Sequence, residues 1–321
     1  MLRTLWRRPL KWMARWRGGS PRPGGWLTLP QRLATPACHL FVPPASQHEP
    51  LPLLVLLHGC RQRARDFAAA TRIEQLATAR RIAVLCPEQD LRANQLGCWN
   101  WFLAQHVDGD GEAQAIARVV RRVCRRYRFD RTRVYVAGMS AGAAMARVLA
   151  VRHGTLFAAC ATHSGLMYRA ATGAAQALSA MRFGSTASPQ TTARAAVASL
   201  GRDAALVPCL AIHGSADKVV HPRNLRLLAE QFLALDAAIH DGQGALQELP
   251  ERALAGPGRT CRVKDYERGG KLWLRCCLIE GLPHAWSGGD ASFEFNDASQ
   301  PEATELMWEF LARHRLGSAS S

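Results

Sequence analysis

The sequence predicts an α/β fold, a mostly parallel central sheet with helices on both faces. Short apolar runs that read as buried strands alternate with longer stretches carrying apolar residues at helical spacing. The strand runs are apolar throughout, without the in-out alternation of a sheet wetted on one side, so helices should cover both faces. A Gly-Met-Ser-Ala-Gly turn, Gly138 to Gly142, joins one such strand to one such helix and marks the functional end of the sheet.

The elements follow in order. Residues 1–25 read as a basic amphipathic tail and linker, since Arg3, Arg7, Arg8, Lys11, Arg15, Arg17, Arg22 and Arg32 all precede the first acidic residue, Glu49. At ~100° per residue, Leu2, Leu5, Trp6, Trp12, Met13 and Trp16 gather opposite the basic residues, although Pro9 weakens a helix there. Two readings stand for residues 1–17: a solvated or loosely docked tail, or adsorption to an anionic membrane or a hydrophobic polymer surface. The interleaved arginines deny this stretch the apolar run of about 7–15 residues that a secretory signal needs, which leaves cytoplasmic, surface-associated and exported locations open. Gly18 to Gly25 reads as the linker, and 26–317 as the catalytic domain.

Within that domain Leu53 to Leu57, Ile82 to Leu85, Val134 to Ala137, Phe157 to Thr162 and Val207 to His213 are expected strands. Phe67 to Arg80, Gly111 to Arg126 and Ala143 to Val151 are expected helices. From about 169 to 200 the chain turns to Ala, Ser, Thr and Gly, the composition of a small cap or lid insertion. Cys261 to Tyr266 and Lys271 to Ile279 flank Arg-Gly-Gly as a hairpin, and a closing helix is expected around Glu302 to His314.

Composition excludes several classes. A chain of 321 residues, 48% hydrophobic, can bury one large core. Arg, Gly or Pro interrupts every apolar run before the roughly 18 residues of a membrane span. Of the net charge of +16, the tail carries much, and the remaining arginines are scattered without a zinc-finger, RRM or helix-turn-helix pattern, so no nucleic-acid partner is expected. None of the ten cysteines has the paired Cys-x2-Cys spacing of a zinc site, and no metal or cofactor is expected.

The chemistry is carried by residues from four places. Ser140 sits at the elbow, flanked by glycines that permit a strained turn, and the helix beginning at Ala141 offers a backbone N–H to a developing oxyanion. A serine needs a base and the base an orienting acid, in the order Ser, acid, His. Asp217 follows the strand ending at His213, while Asp203 and Asp236 follow no strand end. His284 lies on the loop after the last hairpin strand, and Cys60, in His58-Gly59-Cys60-Arg61-Gln62, occupies the place of the second oxyanion donor.

With Gly97-Cys98-Trp99-Asn100-Trp101-Phe102, His213-Gly214-Ser215-Ala216-Asp217 and Gly281-Leu282-Pro283-His284-Ala285-Trp286-Ser287-Gly288-Gly289, these motifs resemble the poly(3-hydroxybutyrate) depolymerase-like esterases. That family of the α/β-hydrolase superfamily is related to feruloyl and acetylxylan esterases, and the resemblance spans roughly Leu33 to His314. It implies catalytic Ser140, Asp217 and His284, oxyanion donors at Cys60 and Ala141, and cleavage of short-chain hydroxyacyl esters or polyesters with neither metal nor cofactor. Trp99, Trp101 and Trp286 would line the cleft, with ordinary core packing as the other reading, and Cys60 would pair with Cys98. A feruloyl- or acetylxylan-type carbohydrate esterase, a serine peptidase, and a catalytically silent scaffold that binds a ligand or partner are the rival readings. Many secreted members carry a signal peptide, and the basic tail departs from that pattern.

Overall fold

A computed structural model describes residues 24–32, 35–44, 49–108, 110–240, 244–254 and 256–317. The expected surface contact of residues 1–17 and most of the linker lie outside them. The chain runs β1 (Gly25–Leu29), β2 (Cys38–Val42), β3 (Leu53–Leu57), α1 (Ala64–Ala70), α2 (Ile73–Arg80), β4 (Ala83–Pro87), α3 (Ala104–Val107), α4 (Gly111–Tyr127) and β5 (Val134–Met139). It continues through α5 (Ala141–Arg152), β6 (Ala159–His163), α6 (Ala174–Phe183), α7 (Pro189–Leu200), β7 (Cys209–Gly214) and α8 (Arg223–Ile239). The last part comprises β8 (Gln247–Glu248), β9 (Arg252–Leu254), β10 (Cys261–Arg268), β11 (Lys271–Ile279), the short pair β12 (Trp286–Ser287) and β13 (Asn296–Asp297), and α9 (Ala303–Leu311).

Eleven strands form one sheet in the order β1-β2-β4-β3-β5-β6-β7-β11-β10-β8, with β9 also on β10. From β4 to β11 the pairing is parallel, and antiparallel strands close both edges. This is the α/β-hydrolase fold. Alternate side chains of one strand feed two cores: Leu53, Val55 and Leu57 of β3 pack with α4, α5 and α8, while Leu54 and Leu56 pack with α1, α2 and α9. Burial on both faces is why the strands read as continuous apolar runs.

Three departures from expectation have local causes. The stretch expected as one helix from Phe67 to Arg80 is two, because Thr71 Oγ1 donates back to Phe67 O at 2.9 Å and Arg72 turns left-handed at φ 55°. The edge pair β1–β2 was not expected; β1 is largely half-buried and so lacks the apolar run of a central strand. The stretch 169–200 holds α6 and α7, which dock on α8: His221 N–H donates to Met181 O at 2.7 Å and Gln231 Nε2 to Thr192 Oγ1 at 2.7 Å.

The positions that set the functional end are Gly138 and Gly142. A Cβ on Gly142 would stand 2.2 Å from Leu57 O and 2.5 Å from His58 O, and one on Gly138 would stand 2.5 Å from Gly142 O. The first turn of α5 thus lies against the end of β3, closer than any side chain allows. Gly142→Ala should lower the unfolding free energy by about 3 kcal/mol in denaturant titration, whereas Gly256→Ala, where nothing lies within 4 Å of the new Cβ, should leave it unchanged.

Candidate active site

Ser140 occupies the strand-to-helix turn with φ 55° and ψ −121°, a conformation costing a non-glycine residue about 1–3 kcal/mol. It is held there by its own N–H donating to His163 O at 2.9 Å and by Ala144 N–H donating to Ser140 O at 3.0 Å. As the first residue of α5, Ala141 has a backbone N–H with no intrahelical carbonyl to meet, at the positive end of the helix dipole.

Asp217 and His284 come together from the loops after β7 and β11. His284 Nδ1 lies 2.7 Å from Asp217 Oδ2, and Asp217 Oδ1 accepts from the N–H groups of Val219 and Val220 at 2.9 and 2.8 Å. The two loops are sewn to one another: Ser215 N–H donates to Ile279 O at 2.9 Å, Ala216 N–H to Leu282 O at 3.1 Å, and Gly281 N–H to Ser215 Oγ at 2.8 Å. Burial pushes the Asp217 carboxyl up, but the hydrogen bond and charge of His284, the charge of His213 and the Val220 N–H outweigh it and hold the group below its ordinary value. His213, buried beside the pair, places Nε2 at 2.8 Å from Val220 O and so braces the acid loop.

Cys60 stands on the loop that abuts the serine. A Cβ on Gly59 would lie 3.4 Å from Ser140 Cβ, and Gly59 N–H is occupied by Gln62 Oε1 at 2.7 Å. Cys60 is disulfide-bonded to Cys98, with Cα atoms 4.2 Å apart, and Arg61 N–H donates to Leu96 O at 2.7 Å. Behind this bridge lies a network absent from the sequence reading. Glu112, near the start of α4, accepts from Gln89 Nε2 at 2.7 Å, Asn100 Nδ2 at 2.7 Å and Asn100 N–H at 2.8 Å. Gln89 Nε2 also donates to Cys98 O at 2.8 Å, and Gln89 N–H donates to His58 Nε2 at 3.2 Å. A helix-borne carboxylate thereby holds the Cys98 segment directly and reaches the Cys60 segment through Gln89 and His58. The Gly97 to Phe102 motif pointed to this region, but no spacing in the sequence ties it to Glu112.

Of the two readings for the tryptophans, cleft lining and core packing, their burial fits the second, at 1% exposure for Trp99, 4% for Trp101 and 2% for Trp286. Such large rings gain most by full enclosure. Trp286 stacks on His163 at 5.1 Å, meets Phe67 edge-on at 5.6 Å and donates Nε1–H to Thr304 Oγ1 at 3.0 Å. Trp99 packs on the His58 ring at 5.6 Å and borders a cavity of about 540 Å³ together with Gln89, Asn100, His106 and Glu112. None of Ser140, Asp217 and His284 lines that cavity. The aromatic ring beside His284 is Phe295, edge-on at 6.0 Å and itself under the Arg61 guanidinium at 6.0 Å.

A family model described as esterase PHB depolymerase matches residues 37–252, two thirds of the chain. The chain belongs to this family. Ser140 and Asp217 fall within the matched span, and His284 lies beyond it. Poly(3-hydroxyalkanoate) depolymerase C of Paucimonas lemoignei is 34% identical over 183 residues, covering 56% of this chain and 44% of that protein. The chain thus spans less than half the length of this depolymerase. Acetylxylan esterase A of Emericella nidulans is 27% identical over 254 residues, 77% of this chain and 79% of that protein. Among solved structures, an acetyl xylan esterase from Aspergillus awamori superposes with a TM-score of 0.70 at 19% identity, covering 90% of this member of the family and all of that chain. At that identity the likeness speaks for the fold.

Two buried histidines near the site set its acid tolerance. Burial lowers His163 to about 3, helped by the charges of His213 and His284, and burial lowers His58 to about 4 against the pull of Gly59 O. An unfolded histidine takes up a proton near its ordinary value of about 6.5, whereas these two stay neutral. Their contribution is therefore complete above about 6.5 and falls as pH drops toward 3–4, by about 1.4 kcal/mol per pH unit for each group. Unfolding free energy should decline between pH 7 and pH 5, and His163→Gln should flatten that slope.

Proposed function

We propose that the chain is a serine carboxylic-ester hydrolase acting through an acyl-enzyme on Ser140. The observation that carries this reading is the Asp217–His284 pair at 2.7 Å, on loops at the same end of the sheet as the strained Ser140 turn. With Asp217 holding Nδ1–H of His284, Nε2 is the free base. Ser140 Oγ attacks the ester carbonyl carbon while His284 Nε2 takes its proton. The negative charge that develops on the carbonyl oxygen meets the N–H groups of Cys60 and Ala141, each such donor being worth roughly 3–4 kcal/mol. Collapse expels the alcohol, which leaves with the proton from His284, and water repeats the cycle to free the acid and restore Ser140.

Short-chain hydroxyacyl esters and polyesters are the proposed substrates, supported by family membership and the likeness to the Paucimonas depolymerase. An acetylated polysaccharide is the second reading, favoured by the fuller mutual coverage with acetylxylan esterase A. Hydrolysis of 3-hydroxybutyrate oligomers against acetylated xylan, with p-nitrophenyl butyrate as common reference, separates the two. Oligomer turnover no faster than xylan deacetylation would overturn the first reading.

Ser140→Ala should abolish turnover and fluorophosphonate labelling with the fold intact, and labelling that persists would sink the assignment of Ser140. Asp217→Asn should lower kcat by about 10⁴ with little change in KM. Glu112, on this reading, is a positioning residue for the Cys60 loop. Glu112→Gln should lower kcat on the order of ten- to a hundredfold while leaving KM near its original value, and Glu112→Asp should recover part of the loss.

A further inference from the structure

The arginines that look scattered in the sequence gather on one surface. In α4, residues 118, 121, 122, 125 and 126 are all arginine, and at ~100° per residue they share a single face opposite the buried Ile116, Val120 and Val123. Arg128 and Arg131 extend that face into the turn before β5. No acidic residue occurs between Glu112 and Asp130. Several arginines elsewhere sit against carboxylates, Arg133 on Asp130, Arg252 and Arg275 on Asp265, Arg268 on Asp236, while others such as Arg65 and Arg152 do not. Among the described residues, no carboxylate lies within ion-pairing distance of Arg121, Arg122, Arg125, Arg126, Arg128 or Arg131. Unpaired like charges spaced three and four residues apart repel and cost helix stability. The Arg126 guanidinium lies 5.5 Å from the Tyr127 ring, which leaves its N–H groups free for another partner.

The location of the patch is informative. Because α4 leads into the start of β5, its C-terminal turns lie at the base of the sheet, the end opposite the loops bearing Ser140, Asp217 and His284. β1 begins at the same end, since Gly25 pairs with Val42 and Phe41 pairs with Val84 near the start of β4. The sequence before β1 carries further arginines interleaved with Trp6, Trp12 and Trp16. Guanidinium groups bind phosphate bidentately, and tryptophans favour the headgroup level of a bilayer, which a nucleic acid backbone does not offer.

We propose that the arginine face of α4, with Arg128 and Arg131, is a docking surface for an anionic lipid bilayer. The outer side of α4 would rest on the headgroups, with the loops of the candidate active site toward the other end of the strands. The inference is independent of the ester reading, because it concerns the opposite end of the molecule.

Co-sedimentation of the full chain with vesicles tests it. Binding is expected to phosphatidylcholine vesicles containing phosphatidylglycerol, to vanish on phosphatidylcholine alone, and to be lost at high salt. A combined Arg122→Gln, Arg125→Gln, Arg126→Gln and Arg128→Gln variant should partition at least about tenfold more weakly, with p-nitrophenyl butyrate turnover unchanged and Tm no lower. Equal vesicle binding by this variant would overturn the proposal, as would binding of the wild type to double-stranded DNA or heparin but not to the anionic vesicles.

Discussion

The closeness of α5 to the ends of β3 and β5 governs the upper end of this molecule. With Gly142 pressed on Leu57 O and Gly138 on Gly142, the chain between them has no alternative to a tight reversal, and Ser140 is the residue left at its apex. The unfavourable dihedral angles of Ser140 are thus imposed by packing on both sides and cannot relax without opening two core layers. The same approach brings the Gly59 loop against Ser140 and fixes where Ala141 N–H points.

The partners of Ser140 are held differently. Asp217 and His284 ride on neighbouring parallel strands, and their loops are joined by backbone hydrogen bonds before either side chain is considered. Beneath them His163 stacks on Trp286, and burial holds both His163 and His213 below the ordinary histidine value. The register of β7 on β11 is what brings Asp217 and His284 side by side.

Much of this could be read from the chain. Leu53 to Leu57 and Val134 to Ala137 are legible as strands because both faces are buried, and the elbow is legible because its glycines have a steric reason to be there. The order Ser140, Asp217, His284 follows from loops placed after strand ends. What stayed hidden depends on contacts between distant segments. Glu112 looks like an ordinary first-turn acid until Gln89 and Asn100 are found around it. Motif position tells which loop Trp99, Trp101 and Trp286 occupy, not which way their rings turn. The half-buried β1 gives no periodic signal.

The loop carrying Cys60 has two tethers of unlike chemistry. One is the covalent link to Cys98, which exists only where thiols are oxidised; the other is the Gln89–Glu112–Asn100 network, which is indifferent to redox conditions. In a reducing compartment that network and the Arg61 N–H to Leu96 O hydrogen bond would hold the loop beside Ser140. The loop is therefore graded in its rigidity by the compartment that holds the protein, firmer outside a cell than within one.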